Sequence, residues 1–179
     1  ICVERWFFLQ KTSRSVYLLW NKISPMLKTN DLGRAHQVVS DSKSPLASVL
    51  SYGFSRLKPG VKRESLDAAF EEGVMEIIPR LEDRTHYLAT LANAATLLGL
   101  LGTIIGLIDA FSAVAAANPA EKANMLSSSI SVAMNTTAFG LIVAIPLLLL
   151  HSYLSTKTTK LVDSIEMIAV KSANILANE

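Results

Sequence analysis

The stretch GLLGTIIGLIDAF, from Gly99 to Phe111, decides the fold because it is almost entirely apolar yet carries small and polar residues at intervals. Gly102 and Gly106 are four residues apart, and Gly99 lies near the same face of a helix. Inside a lipid bilayer, helices gain little from hydrophobic attraction to one another, so close packing depends on small residues. The stretch therefore predicts a membrane helix with a smooth strip against which a second helix can lie.

Two long segments have the length and composition of membrane spans. Ile130 to Leu150 contains no charged residue, and at about 1.5 Å of rise per residue it matches the roughly 30 Å of a bilayer core. Tyr87 to Ala117 is longer, and Asp109 is its one charged residue. Half of all residues are apolar and only 18% are charged, which is unusual for a soluble domain. These features predict an all-α membrane protein.

The beginning of the sequence, ICVERWFFL, has the composition of an apolar helix that runs into an aromatic and basic membrane interface. We interpret residues 1–9 as the end of a first membrane helix that continues before Ile1. A cleaved signal peptide is the alternative, but its basic residues would precede the apolar segment and its cleavage site would carry small residues.

The distribution of basic residues predicts the orientation. Twelve Lys and Arg residues lie between Gln10 and His86, whereas Lys122 is the one basic residue in the connection between the two complete spans. Positively charged segments tend to remain on the cytoplasmic side. The predicted order is a cytoplasmic helical region 10–86, a second membrane helix 87–117, a short periplasmic loop 118–127, a third membrane helix 128–153 and a cytoplasmic helix 154–179.

Turn and capping signals predict helices outside the membrane. Asn30 or Asp31 can cap a short helix, and Pro45 is suited to the first turn of the next. From Val61, apolar residues recur at three and four residues, which predicts one long amphipathic helix leading into the span at Tyr87. The same spacing after the last span predicts a continuous helix, and these extensions can form a cytoplasmic helical bundle.

Several classes of function are disfavoured. A net charge of +2, spread along the helices, gives no basic patch for nucleic acid. Cys2 is the only cysteine, and the three histidines are scattered without a metal-binding spacing. No nucleophile or phosphate-loop motif is present in the sequence. We therefore expect no resident cofactor or metal, and no enzymatic activity.

Small and polar residues recur in both spans. The third span continues the small-residue pattern with Ser129, Ala133, Thr137, Gly140 and Ala144. The polar residues in the two spans are Thr103, Ser131, Asn135, Thr136 and Thr137. A membrane threonine often bonds a carbonyl of its own helix, whereas polar groups in a bilayer also mark ion pathways. The residue pattern leaves these two interpretations evenly balanced.

Asp109 lies about six residues outward of Thr103 on the predicted second span. An acid near the end of a membrane helix can simply reach the aqueous interface, and this interpretation is favoured. Alternatively, a ring of such acids in an oligomer would concentrate cations at the mouth of an ion pathway.

Two blocks, LLGLLGTIIGLIDAF and SISVAMNTTAFGLIVAIPLLLLHSYL, resemble the ExbB/TolQ/MotA family of bacterial inner-membrane proteins, and most closely its ExbB and TolQ branch. The segments ERWFFLQ, DLGRAHQVV and SPLASVLSYGF also resemble that family. The resemblance implies three membrane helices, a homopentameric ring, and two copies of a single-span ExbD-, TolR- or MotB-like partner in the central pore. It also implies ion flow that drives mechanical work in the envelope, such as TonB-type transport.

Particular residues carry the family motifs. Thr103 matches the threonine of the second-span glycine motif, Thr137 the threonine before AxGL, and Pro146 the proline of AIP. Val132 stands where the ExbB and TolQ pattern has a glutamate. Val cannot exchange a proton, so the resemblance implies that the ion-binding carboxylate comes from the partner.

The loss of that carboxylate favours Na⁺ over H⁺ as the transported ion. Hard cations are held by several oxygens, which Thr103, Thr136 and Thr137 could supply, and sodium-driven members of the MotA branch also lack this glutamate. The preferred hypothesis is therefore an ion-driven motor subunit in the bacterial inner membrane. A non-conducting membrane scaffold for partner proteins is the alternative.

Overall fold

The computed structural model describes residues 1–57, 62–116 and 118–177 of the chain. The described residues form helices joined by short turns, and no strand occurs among them. The helices are α1 (Cys2–Lys28), α2 (Leu32–Ser40), α3 (Pro45–Ser55), α4 (Arg63–Glu82), α5 (His86–Ala116) and α6 (Lys122–Ala177). The all-α prediction is confirmed for these residues.

The chain divides into two compact units. The helical bundle comprises Ile1–Asp83 together with Leu154–Glu179, and the helix pair comprises Arg84–Tyr153. The helical bundle therefore contains α1 to α4 and the last part of α6. The helix pair contains α5 and the first part of α6.

A stripe of apolar side chains along α1 forms much of the core of the helical bundle. Leu9, Ile23 and Leu27 are almost fully buried and recur at the spacing of one helical face. Arg5 is also buried, and its Nη2 donates a hydrogen bond to the carbonyl oxygen of Leu81 at the end of α4. Arg5 thus satisfies a carbonyl that α4 leaves unpaired at its carboxyl end.

The short helices begin where the capping signals predict. The Asp31 side chain accepts a hydrogen bond from the backbone amide of Arg34 at 3.3 Å. Asp31 is the N-cap, and α2 starts at Leu32. Pro45 occupies the first turn of α3, where its missing amide hydrogen is not needed. Leu66, Phe70 and Ile77 then form the buried face of α4.

The predicted continuous helix from Val61 into the span at Tyr87 is wrong at one point. Val61 itself lies outside the described residues, and α4 ends at Glu82. Asp83 is extended and Arg84 has a φ of 59°, in the left-handed region, before α5 begins at His86. Helical hydrogen bonding cannot continue through these conformations. The apolar periodicity continues on both sides of residues 83–85, so the sequence pattern predicts one helix where the structure has two.

The predicted loop 118–127 is shorter in the structure, because α6 begins at Lys122. Residues 122–127 read KANMLS, and Ala, Lys, Met and Leu are strong helix formers. The helix then continues to Ala177 with Pro146 inside it, so the predicted helices 128–153 and 154–179 are one element. Residues 117, 178 and 179 of the predicted segments lie outside the described residues.

Two helical stretches, Arg63–Ala115 and Lys122–Leu176, include segments that are long and apolar enough to cross a membrane. In their most apolar segments only 11% and 17% of the residues are buried. The core helix of a soluble protein would be mostly buried. Leu98, Ile105, Phe139 and Ile142 are instead exposed on these helices, as is expected of apolar side chains that face lipid or a protein partner.

Candidate ion site in the α5–α6 helix pair

Glycines bring the backbones of α5 and α6 into close contact. A methyl group added at Gly140 would lie 2.7 Å from the carbonyl oxygen of Ala95, and one added at Gly106 would lie 2.7 Å from Cβ of Ala133. A methyl group added at Gly99 would lie 3.2–3.3 Å from the Cα atoms of Thr137 and Gly140. These distances leave no space for a larger side chain, which is the packing that small residues permit between membrane helices.

Ala133 and Ala144 lie on the same face of α6, and each is only 1% exposed. The structure therefore brings together the small residues that the sequence placed on the two spans. Pro146 is exposed two residues beyond Ala144, outside this contact.

Thr103 and Thr137 meet where the two helices pack. Their hydroxyl oxygens lie 2.5 Å apart. The Gly99 carbonyl oxygen lies 3.2 Å from Oγ1 of Thr103 and 2.9 Å from Oγ1 of Thr137. Both threonines are half-buried, so these three oxygens form a compact polar cluster between apolar helices. We call Thr103, Thr137 and the Gly99 carbonyl the hydroxyl cluster.

The number of protons limits how the hydroxyl cluster is bonded. Three oxygen–oxygen contacts join the two hydroxyls to each other and to the Gly99 carbonyl, but the hydroxyls carry only two protons. Either both hydroxyls donate to the carbonyl, or one donates to the carbonyl and the other donates to the first hydroxyl. Because a hydroxyl oxygen has two lone pairs, each hydroxyl oxygen keeps at least one that can meet a cation or a further donor in either arrangement.

Thr136 has a different environment from its neighbour Thr137. Its Oγ1 donates to the carbonyl of Ala133 on its own helix at 2.7 Å. The same oxygen would lie 2.6 Å from a methyl group added at Gly102. Thr136 therefore packs against Gly102 of α5, and its hydroxyl donates its proton within α6, as membrane threonines commonly do.

A groove of about 630 Å³ runs beside the hydroxyl cluster on the surface of the helix pair. Gly99, Gly102 and Gly140 line it together with Thr136 and Asn135. Val132, which replaces the glutamate expected from the family pattern, also lines this groove and is 60% exposed. The groove is thus largely apolar, with polar groups from α6.

The remaining predicted residues are not joined to the hydroxyl cluster. Ser131 and Asn135 are exposed on α6, and Asp109 is exposed on α5 beyond it. Asp109 is the one carboxylate among the described residues of α5, and it forms no ion pair with another described residue. The helix pair therefore supplies neutral oxygens at the cluster, and its one α5 acid lies six residues away.

The Gly99 carbonyl is the functional group that sequence reasoning missed. The sequence indicates a packing role for Gly99 through its missing side chain, whereas its carbonyl oxygen lies within hydrogen-bond distance of both threonine hydroxyls. A threonine four residues after a glycine does place its hydroxyl near that carbonyl, so Gly99 and Thr103 could have been paired from spacing alone.

The fold and the hydroxyl cluster define an all-α membrane protein that carries interacting polar groups within its apolar helices. Residues 41–167 match the model of the MotA/TolQ/ExbB proton channel family. This range covers most of the chain, including both helices of the pair, and the chain belongs to this family.

Individual relatives include both ExbB-like and TolQ proteins. A putative biopolymer transport protein ExbB homolog of Methanothermobacter thermautotrophicus is 29% identical over 169 residues, which are 93% of this chain and 58% of the relative. A putative biopolymer transport protein ExbB-like 3 of Synechocystis is 27% identical over 83% of this chain and 70% of the relative. The Tol-Pal system protein TolQ of Haemophilus influenzae is 38% identical over 45% of this chain and 35% of the relative. The chain thus spans little more than half the length of the first of these relatives.

Proposed function

We propose that this chain is the ring-forming subunit of an ion-driven motor in the bacterial inner membrane. Five copies would surround two copies of a single-span partner of the ExbD, TolR or MotB type, and ion flow between them would drive mechanical work in the envelope. The observation that carries the proposal is the hydroxyl cluster, because polar groups inside apolar helices are costly and tend to serve a pathway. Membership of a family described as proton channels supports it.

The proposed motor needs a carboxylate that this helix pair does not place at the cluster. Val132 contributes no titratable group, and Asp109 lies about 9 Å along α5 from Thr103 at 1.5 Å per residue. The acid that takes up and releases the ion would therefore come from the partner. Its approach would follow the groove lined by Val132 and Asn135, which is open on the isolated chain.

We propose Na⁺ as the transported ion. Na⁺ needs several oxygens and no protonation step, and the hydroxyl cluster offers lone pairs on two hydroxyls beside a carbonyl. Proton transport remains the competing assignment, because hydroxyls joined in a hydrogen-bonded chain can also pass a proton. The two ions are distinguished by varying Na⁺ at fixed pH.

A non-conducting scaffold is the second candidate, and one observation favours it. Both hydroxyl protons of the cluster are used within the contact between α5 and α6. Hydrogen bonds of this kind also hold membrane helices together without any transport role. In that case the chain would position partner proteins and carry no current.

Purification of the tagged chain from its native membrane tests the proposal against the scaffold. We expect five copies of the chain to co-purify with two copies of a single-span protein that has an acid in its membrane helix. The reconstituted complex should then conduct a cation, and Thr103→Val should lower conduction by about tenfold or more while leaving the composition of the complex unchanged. A stable complex that conducts neither Na⁺ nor H⁺ would support the scaffold and contradict the motor.

A further inference from the structure

A second cavity lies in the helical bundle, apart from the residues of the hydroxyl cluster. It has a volume of about 530 Å³ and is bounded by α1, the start of α3, the end of α4 and the segment before α3. This volume is within the range of small-molecule sites, about 300–1,000 Å³. We call it the α1–α3–α4 pocket.

Three cationic side chains line the α1–α3–α4 pocket: Lys11 from α1, Lys43 from the segment before α3, and Arg80 from α4. Among the described residues that line it, none is acidic. Lys11 and Lys43 form no ion pair with another described residue. Three elements that are distant in sequence therefore bring positive charge to one concave surface.

Among the described residues, Glu76 forms an ion pair with Arg80, and this pair leaves most donors of the guanidinium unused. Its Nη2 lies 3.1 Å from Oε1 of Glu76 on the same helix. Oε2 of that carboxylate also accepts a hydrogen bond from the Tyr52 hydroxyl. A guanidinium has five donors in a planar fork, so most of the Arg80 donors remain for another anion.

Hydroxyl groups form the other polar part of the lining, and the rest is apolar, from Phe8, Pro45, Ile77 and Leu81. Thr12, Ser15, Ser42 and Ser48 line the pocket beside the cations. The Ser42 Oγ accepts the backbone amide of Ser44 at 3.3 Å, so its own proton is available for a further acceptor. Hydroxyl donors beside Lys and Arg are the groups that commonly hold phosphate oxygens.

The amino end of α3 opens on the same pocket, and its capping residue is diverted. Ser44 is the N-cap, but it makes no side-chain cap hydrogen bond. Its Oγ instead lies 3.2 Å from Oγ of Ser15 on α1. A serine at this position ordinarily accepts an amide of the first turn with its side chain. Here Pro45 has no amide hydrogen and the Ala47 amide donates to the Ser44 carbonyl at 2.9 Å, so the Leu46 amide is the first-turn donor left for another acceptor.

We propose that the α1–α3–α4 pocket binds a phosphate group, carried either by a soluble phosphate compound or by the headgroup of an anionic phospholipid. Lys11, Lys43 and Arg80 supply the charge, and the hydroxyls of Ser42 and Ser48 supply directional donors. The proposal is independent of ion transport, since it concerns residues of the helical bundle alone.

Two binding measurements on the full chain distinguish the sources. In the first, detergent-solubilised protein is titrated with inorganic pyrophosphate by calorimetry. In the second, the protein is placed in nanodiscs of mixed phosphatidylglycerol and phosphatidylcholine. The protein is then extracted with detergent, and the phosphatidylglycerol that remains bound to it is quantified. Lys11→Gln/Lys43→Gln removes two charges from the pocket, and Lys22→Gln/Lys171→Gln removes two exposed charges of the helical bundle elsewhere. Ser48→Leu fills the pocket without changing charge.

We expect Lys11→Gln/Lys43→Gln and Ser48→Leu to weaken binding by about tenfold or more, as the loss of charge-assisted hydrogen bonds predicts. The control pair should change it by less than about twofold. Saturable pyrophosphate binding with this pattern identifies a soluble ligand, and the same pattern with phosphatidylglycerol alone identifies a headgroup. Either result supports the pocket. Absence of binding in both measurements, or equal losses in the pocket and control variants with unchanged melting curves, overturns it.

Discussion

The hydroxyl oxygen of Thr103 on α5 lies 2.5 Å from that of Thr137 on α6, and both reach the carbonyl of Gly99. This contact joins the two apolar helices through polar groups at the centre of the helix pair. If the cluster serves transport, its removal should affect ion flow much more than stability.

Thr103→Val and Thr137→Val test that distinction. A hydrogen bond between membrane helices contributes about 0.6 kcal/mol on average, so we expect both variants to assemble and to melt close to the wild type. Ion flux should fall by about tenfold or more, which corresponds to about 1.4 kcal/mol in the barrier. Flux is measured in proteoliposomes with a cation-sensitive dye.

Thr96→Val is the matched control, because the Thr96 hydroxyl donates only to the carbonyl of Ala92 on its own helix. It should leave flux unchanged. Equal effects of Thr96→Val and Thr103→Val would assign the cluster a general packing role.

Gly140→Ala tests the close approach of the helices. The added methyl group would lie 2.7 Å from the Ala95 carbonyl oxygen, and a backbone atom cannot rotate away as a side chain can. We expect destabilisation of the helix pair by about 1–3 kcal/mol, measured as a lower melting temperature in detergent. Gly33→Ala in α2 is the control, since apart from its chain neighbours and the nearby backbone of its own helix no atom lies within 4 Å of the added methyl group. That variant should be neutral or slightly stabilising because alanine favours helix. Equal melting temperatures for both variants would show that the α5–α6 contact tolerates a larger separation.

Asp109→Asn tests whether the exposed acid of α5 concentrates cations. We expect flux to fall by about two- to fivefold at low ionic strength and less at high salt, because mobile ions screen charges beyond about 10 Å at 0.1 M. Glu121→Gln removes an acid from the connection that precedes α6 and should have a smaller effect. A salt-independent effect, or none, would leave Asp109 as an acid that only reaches the aqueous interface.

Tyr52 gives a spectroscopic test of the helical bundle. Its hydroxyl donates to Glu76 at 2.5 Å, and this hydrogen bond, with the negative charge of Glu76, raises the pKa of Tyr52 above 10.0. Because the folded-state pKa is the higher one, the interaction contributes fully below pH 10.0 and is lost as the pH rises through the folded-state pKa. Ultraviolet titration of the tyrosines should show one late-titrating group that returns toward the ordinary pKa in Glu76→Gln.

Glu72→Gln is the comparison for that titration. Glu72 raises the pKa of Tyr52 by its charge alone, and less than Glu76 does. Its removal should shift the late titration only slightly. A larger shift in Glu72→Gln than in Glu76→Gln would contradict the hydrogen bond.

Local chemistry made part of the fold predictable. Asp31 and Pro45 have side-chain properties that act within one helical turn, so their positions marked the starts of α2 and α3. The break at Arg84 was not predictable in the same way. A left-handed conformation is usually signalled by Gly or Asn, and an arginine there gives no such signal.

The site was predictable as a set of residues but not as a geometry. The sequence placed Thr103, Thr136 and Thr137 at the middle of their spans, yet adjacent helical residues point about 100° apart. Only the register of α5 against α6 decides that Thr137 meets Thr103 while Thr136 bonds its own helix. The α1–α3–α4 pocket was likewise hidden, because Lys11, Lys43 and Arg80 come from separate elements.

Sodium-dependent flux through the reconstituted native complex tests the central claim most directly. At fixed pH and membrane potential, we expect flux that saturates with increasing Na⁺ and falls by about tenfold or more in Thr103→Val. Flux that depends on pH and does not change with Na⁺ would support ion conduction but identify the proton as the transported ion. A correctly assembled complex that conducts neither ion would contradict the account.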